Sequence, residues 1–303
     1  MQAMDQRPRP DPDDPANLPE RQQAARKSTL VSALVNVCLS AGQVVAGMVA
    51  GSQGLIADGI HSLSDLLADF VVLLANRHSH KEADDDHQYG HQRYETGASL
   101  FLGLSLLAVG IGMVWNAADK VIHPSTTPVQ WLALYVALAA LVAKEALFRY
   151  MLAVAERVRS SMLVANAWHA RSDAASSLVV ALGIIGALAG HPVLDAIGAL
   201  VVGLLVLKMG WQFGWDALHD LMDRAVSEDE YRQIHDIICA TPGVLGAHDL
   251  KTRKMGDMII VDVHIEVDGE ATVRQGHDIA FEAANRVKAA LPVLDVMTHL
   301  DPA

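Results

Sequence analysis

Two apolar stretches carry side chains that membrane helices rarely hold. The first reads Gly54-Leu-Ile-Ala-Asp58-Gly-Ile-His61-Ser-Leu-Ser-Asp65-Leu-Leu-Ala-Asp69. Offsets of three, seven and eleven set its four ionisable groups within about 80 degrees of one helix face. The second reads Asn166-Ala-Trp-His169-Ala-Arg-Ser-Asp173 and repeats the His-x-x-x-Asp spacing. In each pair an imidazole and a carboxylate lie one turn apart on one face. A charge at the centre of a bilayer costs about 2.5 kcal/mol or more, so such groups need a common partner. A divalent cation is one: Asp65 and Asp173 balance its charge, and neutral His61 and His169 complete a tetrahedral nitrogen and oxygen set suited to zinc. A water-lined proton path or mutually satisfied salt bridges would use the same residues. Asp58 and Asp69 are expected to line the access path or shape the field rather than to bind the metal directly, and Arg171, off its face, to be structural. No His-Glu-x-x-His and no separate general base accompany the pairs, which argues against an intramembrane metalloprotease and for a protein that is not an enzyme.

Six stretches near the roughly 20 residues that span a bilayer must position these groups: 29–50, 54–77, 96–117, 128–150, 160–188 and 192–214. Arg21, Arg26 and Lys27 precede the first, Arg77, Lys81 and Arg93 separate the second from the third, and Arg149, Arg157 and Arg159 lie between the fourth and fifth. The opposite connections hold almost nothing basic, so both termini are expected in the cytoplasm. Asn36 and Gln43 in the first span are expected to make interhelical hydrogen bonds. Residues 1–26, rich in Pro, Asp and Gln at their start, read as a disordered cytoplasmic tail and 27–218 as the membrane domain. Residues 219–303 read as a small α+β domain in the order αββαβ, short of core and helped by dimerisation or bound metal. Its clearest strand is 258–267, Met-Ile-Ile-Val-Asp-Val-His-Ile-Glu-Val, which alternates as a half-buried strand does. The chain is 51% hydrophobic with a net charge of -12, which excludes nucleic acid as a partner. Cys38 and Cys239 are too few for a disulfide or thiolate framework.

At the two His-x-x-x-Asp motifs, and on through the loop after the second span and the carboxy-terminal domain, the sequence resembles the cation diffusion facilitator family. The resemblance covers about residues 27–303. It implies a homodimer in the bacterial inner membrane, six membrane helices per protomer, and a cytoplasmic metallochaperone-like domain. It also implies efflux of a divalent metal, with zinc moving out of the cytoplasm against protons; manganese or iron(II) efflux and a membrane-anchored metal sensor are the other readings. His61, Asp65, His169 and Asp173 fall on the family's transport-site positions. His61 replaces an aspartate of the bacterial pumps, and this imidazole favours a borderline ion over harder ones. Asp84, His87 and His91 in the loop match ligands of a second zinc site, though a solvated acidic loop has the same composition. His248, His264, His277, His299 and Asp301 match a zinc pair in the cytoplasmic domain, where exposed histidines without a ligand role are the alternative. Leu300 stands where a bacterial pump is polar, which makes the outer coordination of that pair expected to differ. Arg93 and Asp223 match a charge pair joining membrane and soluble parts.

Overall fold

The computed structural model describes residues 18–79, 81, 83–123, 128–157 and 161–303. Six long helices come first: α1 (Leu18–Ala50), α2 (Gln53–Ser79), α3 (Arg93–Ile122), α4 (Trp131–Arg157), α5 (Ser161–Leu188) and α6 (Val193–Leu221). The small helix α7 (Glu228–Cys239), strands β1 (Gly246–Met255) and β2 (Met258–Val267), helix α8 (Val273–Ala290) and strand β3 (Val293–Pro302) follow. Residues 18–26, expected to belong to a tail, are instead the first turns of α1. Pro19 opens them, where a missing N–H is harmless and a fixed φ suits a helix, and Ala24 and Ala25 follow. Residues 1–17 lie outside the described residues.

Among the described residues, five segments are long and apolar enough to cross a bilayer: Leu30–Ala50, Arg93–Ile122, Trp131–Arg157, Ala167–Leu188 and Val193–Leu221. The second expected span is α2, which at 27 residues is long enough to cross a bilayer and carries the ionisable side chains of Asp58, His61 and Asp65. The long helices leave large apolar side chains outward, with Trp115, Leu34, Leu73 and Val142 all exposed. That is the distribution a lipid solvent favours.

By their internal packing the described residues divide into two units, one within 18–68 and 106–208 and the other within 69–105 and 209–303. In the first, Leu55, Ala57, Ala137, Val180, Ala181, Ile184 and Val202 form one buried cluster, and Leu147, Phe148, Met151, Ala167 and Ala170 another. Small residues recur here because interhelical packing in lipid depends on close backbone approach. In the second unit the sheet runs β1-β2-β3, with β1 antiparallel and β3 parallel to β2. The β2–α8–β3 crossover is what a parallel pair requires. Ile259, Val261, Val263, Ile265 and Val267 face the core with Ile234 and Ile238 of α7 and Ala283 and Val287 of α8. Both helices therefore cover one sheet face, and the alternate residues of β2, Asp262, His264 and Glu266, stand on the other. Capping boxes start both helices, Ser227 with Glu230 in α7 and Thr272 with Gln275 in α8.

Candidate metal centre

The N-terminus of α2 is fixed before its ionisable face begins. Ser52 accepts from the Leu55 amide at 3.1 Å, while Asp195 of α6 accepts from Ser52 Oγ at 2.6 Å and from the Gln53 and Gly54 amides at 2.6 and 3.3 Å. These bonds satisfy backbone donors that a helix start leaves unpaired. Two turns on, His61 Nδ1 lies 3.5 Å from Asp65 Oδ2, the distance the i to i+4 spacing allows. Asp173 of α5 joins them, and ligand atoms of His61, Asp65 and Asp173 all lie within 4.8 Å of one another. His61 is buried and both carboxylates are half-buried. Ser176 Oγ donates to the Asp173 carbonyl at 2.8 Å. One imidazole and two carboxylates converging from two helices make a nitrogen and oxygen donor set that suits a divalent metal cation.

His169, expected as the fourth ligand, is outside this cluster. Its side chain is exposed one turn before Asp173, within electrostatic range of His61 but not beside it. Arg171 lies over the Phe148 and Trp168 rings, 4.9 and 5.1 Å from their centroids, in the packing role expected for it. Of the two roles expected for Asp58, burial leaves shaping the field: it is fully buried, and it accepts from Gln43 of α1, Ser177 Oγ at 2.6 Å and Lys144 Nζ at 3.4 Å. Lys144 escaped the sequence reading, although a lysine inside the fourth apolar span was a signal of the same kind as Asp58. Gln43 does bond across helices as expected. The side chain of Asp69 is outside the described residues.

In the loop, turns bring the expected donors together. Asp84 and His87 exchange backbone bonds at 3.2 Å, and Asp84 Oδ1 accepts from the His87 amide at 2.8 Å. Gly90, at φ +81°, then returns the chain so that the His87 and His91 ring centroids come within 4.4 Å. His91 Nε2 lies 3.3 Å from Asp84 Oδ2, and ligand atoms of Asp84, His87 and His91 lie within 4.8 Å of one another. The Asp84 carboxyl is held well below the usual carboxylate range, first by the Lys81 ammonium at 2.7 Å and then by the His87 bonds. Close by, Arg93 Nη2 meets Asp223 Oδ1 at 2.7 Å, as expected, with both side chains about half exposed.

Strand register assembles the third group. A bulge between His248 and Lys251 shifts β1, so that His248 pairs with His264 while Lys251 pairs with Asp262. Asp249 absorbs the kink at φ +50°, and Leu250 is free to face the core. On the other side His299 pairs with His264, and Asp301 with Glu266. Asp301 Oδ2 lies 2.9 Å from His264 Nδ1 and 3.4 Å from His248 Nε2, and Asp301 Oδ1 lies 3.4 Å from His299 Nε2. Ligand atoms of His248, His264 and Asp301 share a sphere of mutual distances under 4.8 Å. The bond from His264 lowers the Asp301 carboxyl below its ordinary value, keeping it an acceptor. Glu266, 3.6 Å from His248, was missed; it follows His264 by two on the same strand face, and Gly246 opposite leaves room for it. His277 is not brought here: it is exposed on α8 and stacks on Phe281. Leu300 packs on the core face against α8, so its apolar side chain is turned away from the histidines.

Long apolar helices in which possible cation ligands converge, followed by a small domain with a further such cluster on its sheet, are an arrangement suited to a membrane cation carrier. The sequence profile of the cation efflux transmembrane domain matches residues 29–222, and that of the cation efflux protein cytoplasmic domain matches 226–303. The chain belongs to the cation diffusion facilitator family, multi-pass membrane transporters of divalent metal cations, and is not an enzyme. It is similar to a metal tolerance protein of Arabidopsis thaliana, 33% identical over 88% of this chain and 60% of that one. A manganese efflux system protein, MneP, of Bacillus subtilis is 30% identical over 93% of this chain and 98% of its own. The cation-efflux pump FieF of Cronobacter sakazakii is 30% identical over 92% of each. The chain thus spans less than two thirds of the Arabidopsis relative and nearly all of the two bacterial ones. Among solved structures, the MamM CTD is 27% identical over 25% of this chain and 98% of that chain, with a TM-score of 0.25.

Proposed function

We propose that the protein carries Zn²⁺ out of the cytoplasm in exchange for protons, using His61, Asp65 and Asp173 as the transport site, with His169 entering the coordination sphere during the cycle. The observation that carries the reading is the convergence of these three donors from α2 and α5. Two carboxylates neutralise a dication, and the His61 nitrogen favours zinc over a harder ion. Metal must displace protons from its ligands, so binding on one side and protonation on the other couple the two fluxes. Access then alternates around a fixed site as the helices rock. The basic residues Arg77, Lys81 and Arg93 support cytoplasmic termini and export across a bacterial inner membrane. The protein acts as a homodimer, with Asp84, His87 and His91 in the loop and His248, His264, His299 and Asp301 on the sheet holding further zinc ions that are structural or regulatory.

Manganese is the second reading, favoured by the likeness to a manganese efflux system protein over nearly the whole chain. Metal uptake into proteoliposomes under an imposed pH gradient separates the two. Zinc should enter faster than manganese and collapse the gradient, and Asp65→Ala or Asp173→Ala should abolish both effects. Manganese flux without zinc flux would transfer the assignment, and zinc binding without flux of any ion would leave only a membrane-anchored sensor.

A further inference from the structure

Asp58 is a third carboxylate on the α2 face that carries His61 and Asp65, yet its oxygens are spoken for. It has no exposed surface, and Lys144 of α4 is almost equally buried. The ammonium lies 3.4 Å from both Asp58 oxygens, 3.0 Å from Ser62 Oγ and 2.6 Å from Ser177 Oγ. Gln43 from α1 and Ser177 from α5 also donate to Asp58, with Ser176 Oγ farther off at 3.4 Å. Four helices therefore meet at one buried ion pair. The pair is one step from the candidate transport site: Ser62 follows His61 in the chain, Ser176 and Ser177 both lie against the Asp173 carbonyl, and the charges of Asp58 and Lys144 both reach His61.

We infer that Lys144 sets the charge and ion preference of the transport site by withholding Asp58 from the metal. With Lys144 in place the site presents two net negative charges, from Asp65 and Asp173, matching a dication. Without it, a third carboxylate on the same helix face would deepen the negative potential and add a hard oxygen donor, favouring ions such as Mn²⁺ and slowing release. Without Asp58, the ammonium would stand unbalanced and repel every cation. The two partners therefore act in opposite directions on metal affinity, whereas a pair that merely staples helices would fail alike from either side. The inference rests on the reading of His61, Asp65 and Asp173 as the transport site.

The test is zinc and manganese flux in proteoliposomes for wild type, Lys144→Gln, Asp58→Asn and the double variant. Lys144→Gln should lower the KM for manganese by about tenfold while lowering the maximal rate, and Asp58→Asn should raise the KM for both ions by about tenfold. The double variant should return the KM values to within about threefold of wild type. Shifts of the same sign in both single variants, or a double variant no nearer to wild type than either, would overturn the inference while leaving the transport site standing. If Lys144→Gln does not survive purification, the double variant decides beside Asp58→Asn: KM values nearer to wild type than those of Asp58→Asn support the inference, and values no nearer overturn it. A wild type that moves neither ion would overturn the transport reading, and this inference with it.

Discussion

Asp65 and Asp173 are the only half-buried carboxylates that share a ligand sphere with His61 among the described residues, so each supplies charge that no neighbour can replace. Asp173→Ala should cut zinc flux by about a hundredfold or more, since removing one of two counter-charges in a poorly solvated site costs several kcal/mol. His169→Ala should cost about tenfold in KM with less effect on the maximal rate, because its side chain stands apart from the cluster. Initial-rate flux measurements on both variants check this; equal losses would put His169 in the resting ligand set. On the sheet, binding should weaken as pH falls from 7.5 to 5.5, because metal and protons compete for the same ligand atoms. Asp301 contributes no loss in that window. Its carboxyl is lowered by the His264 bond, so its contribution is complete above the ordinary carboxylate value of about 3.9 and fades only as pH falls through the lower folded value. Zinc titrations of the detergent-purified full chain across that pH range, with Asp301→Asn beside wild type, test the assignment: the variant should bind more weakly at every pH with the same pH profile.

The elements were legible where periodicity is strong. The alternation of 258–267 marked β2 to the residue, and His61 with Asp65 followed from helical spacing alone. What spacing could not show is how separate elements meet. The bulge at Asp249 is invisible as a period, yet it puts His248 on the same face as His264. Deleting Asp249 should remove the extra residue, leave His248 opposite His264 in simple alternation, and so preserve zinc binding at the sheet, as titration of a variant lacking the loop and membrane ligands would report. Glu266 and Lys144 were missed for the same reason: each matters through a partner distant in sequence, Asp301 or His248 for one and Asp58 for the other. Asp195 is a further case, a carboxylate on α6 that caps α2. Asp195→Ala should lower thermal stability by about 1–3 kcal/mol, because a hydroxyl and two amides lose a buried acceptor. Zinc affinity should change little in that variant once it is folded, and scanning calorimetry with zinc titration separates the two effects.

As a whole, the molecule pairs two kinds of solvent problem. The membrane helices satisfy their backbone internally and turn apolar side chains outward, so the few ionisable groups they keep must be answered by one another or by an ion. Asp58 is answered by Lys144, Asp195 by a helix start, and His61, Asp65 and Asp173 bring ligand atoms to a point where one cation can be shared. The small domain has too little core of its own to make its histidines incidental, and it gathers them by register on the face its helices leave open. The central claim is that the His61, Asp65 and Asp173 cluster holds one dication. It is tested most directly by zinc K-edge absorption on full-length protein in which the loop and sheet ligands are replaced. One zinc per protomer with only nitrogen and oxygen neighbours at about 2.0–2.1 Å, lost in Asp65→Ala and in Asp173→Ala, is the expected result. Zinc retained with an unchanged spectrum in both variants would contradict it.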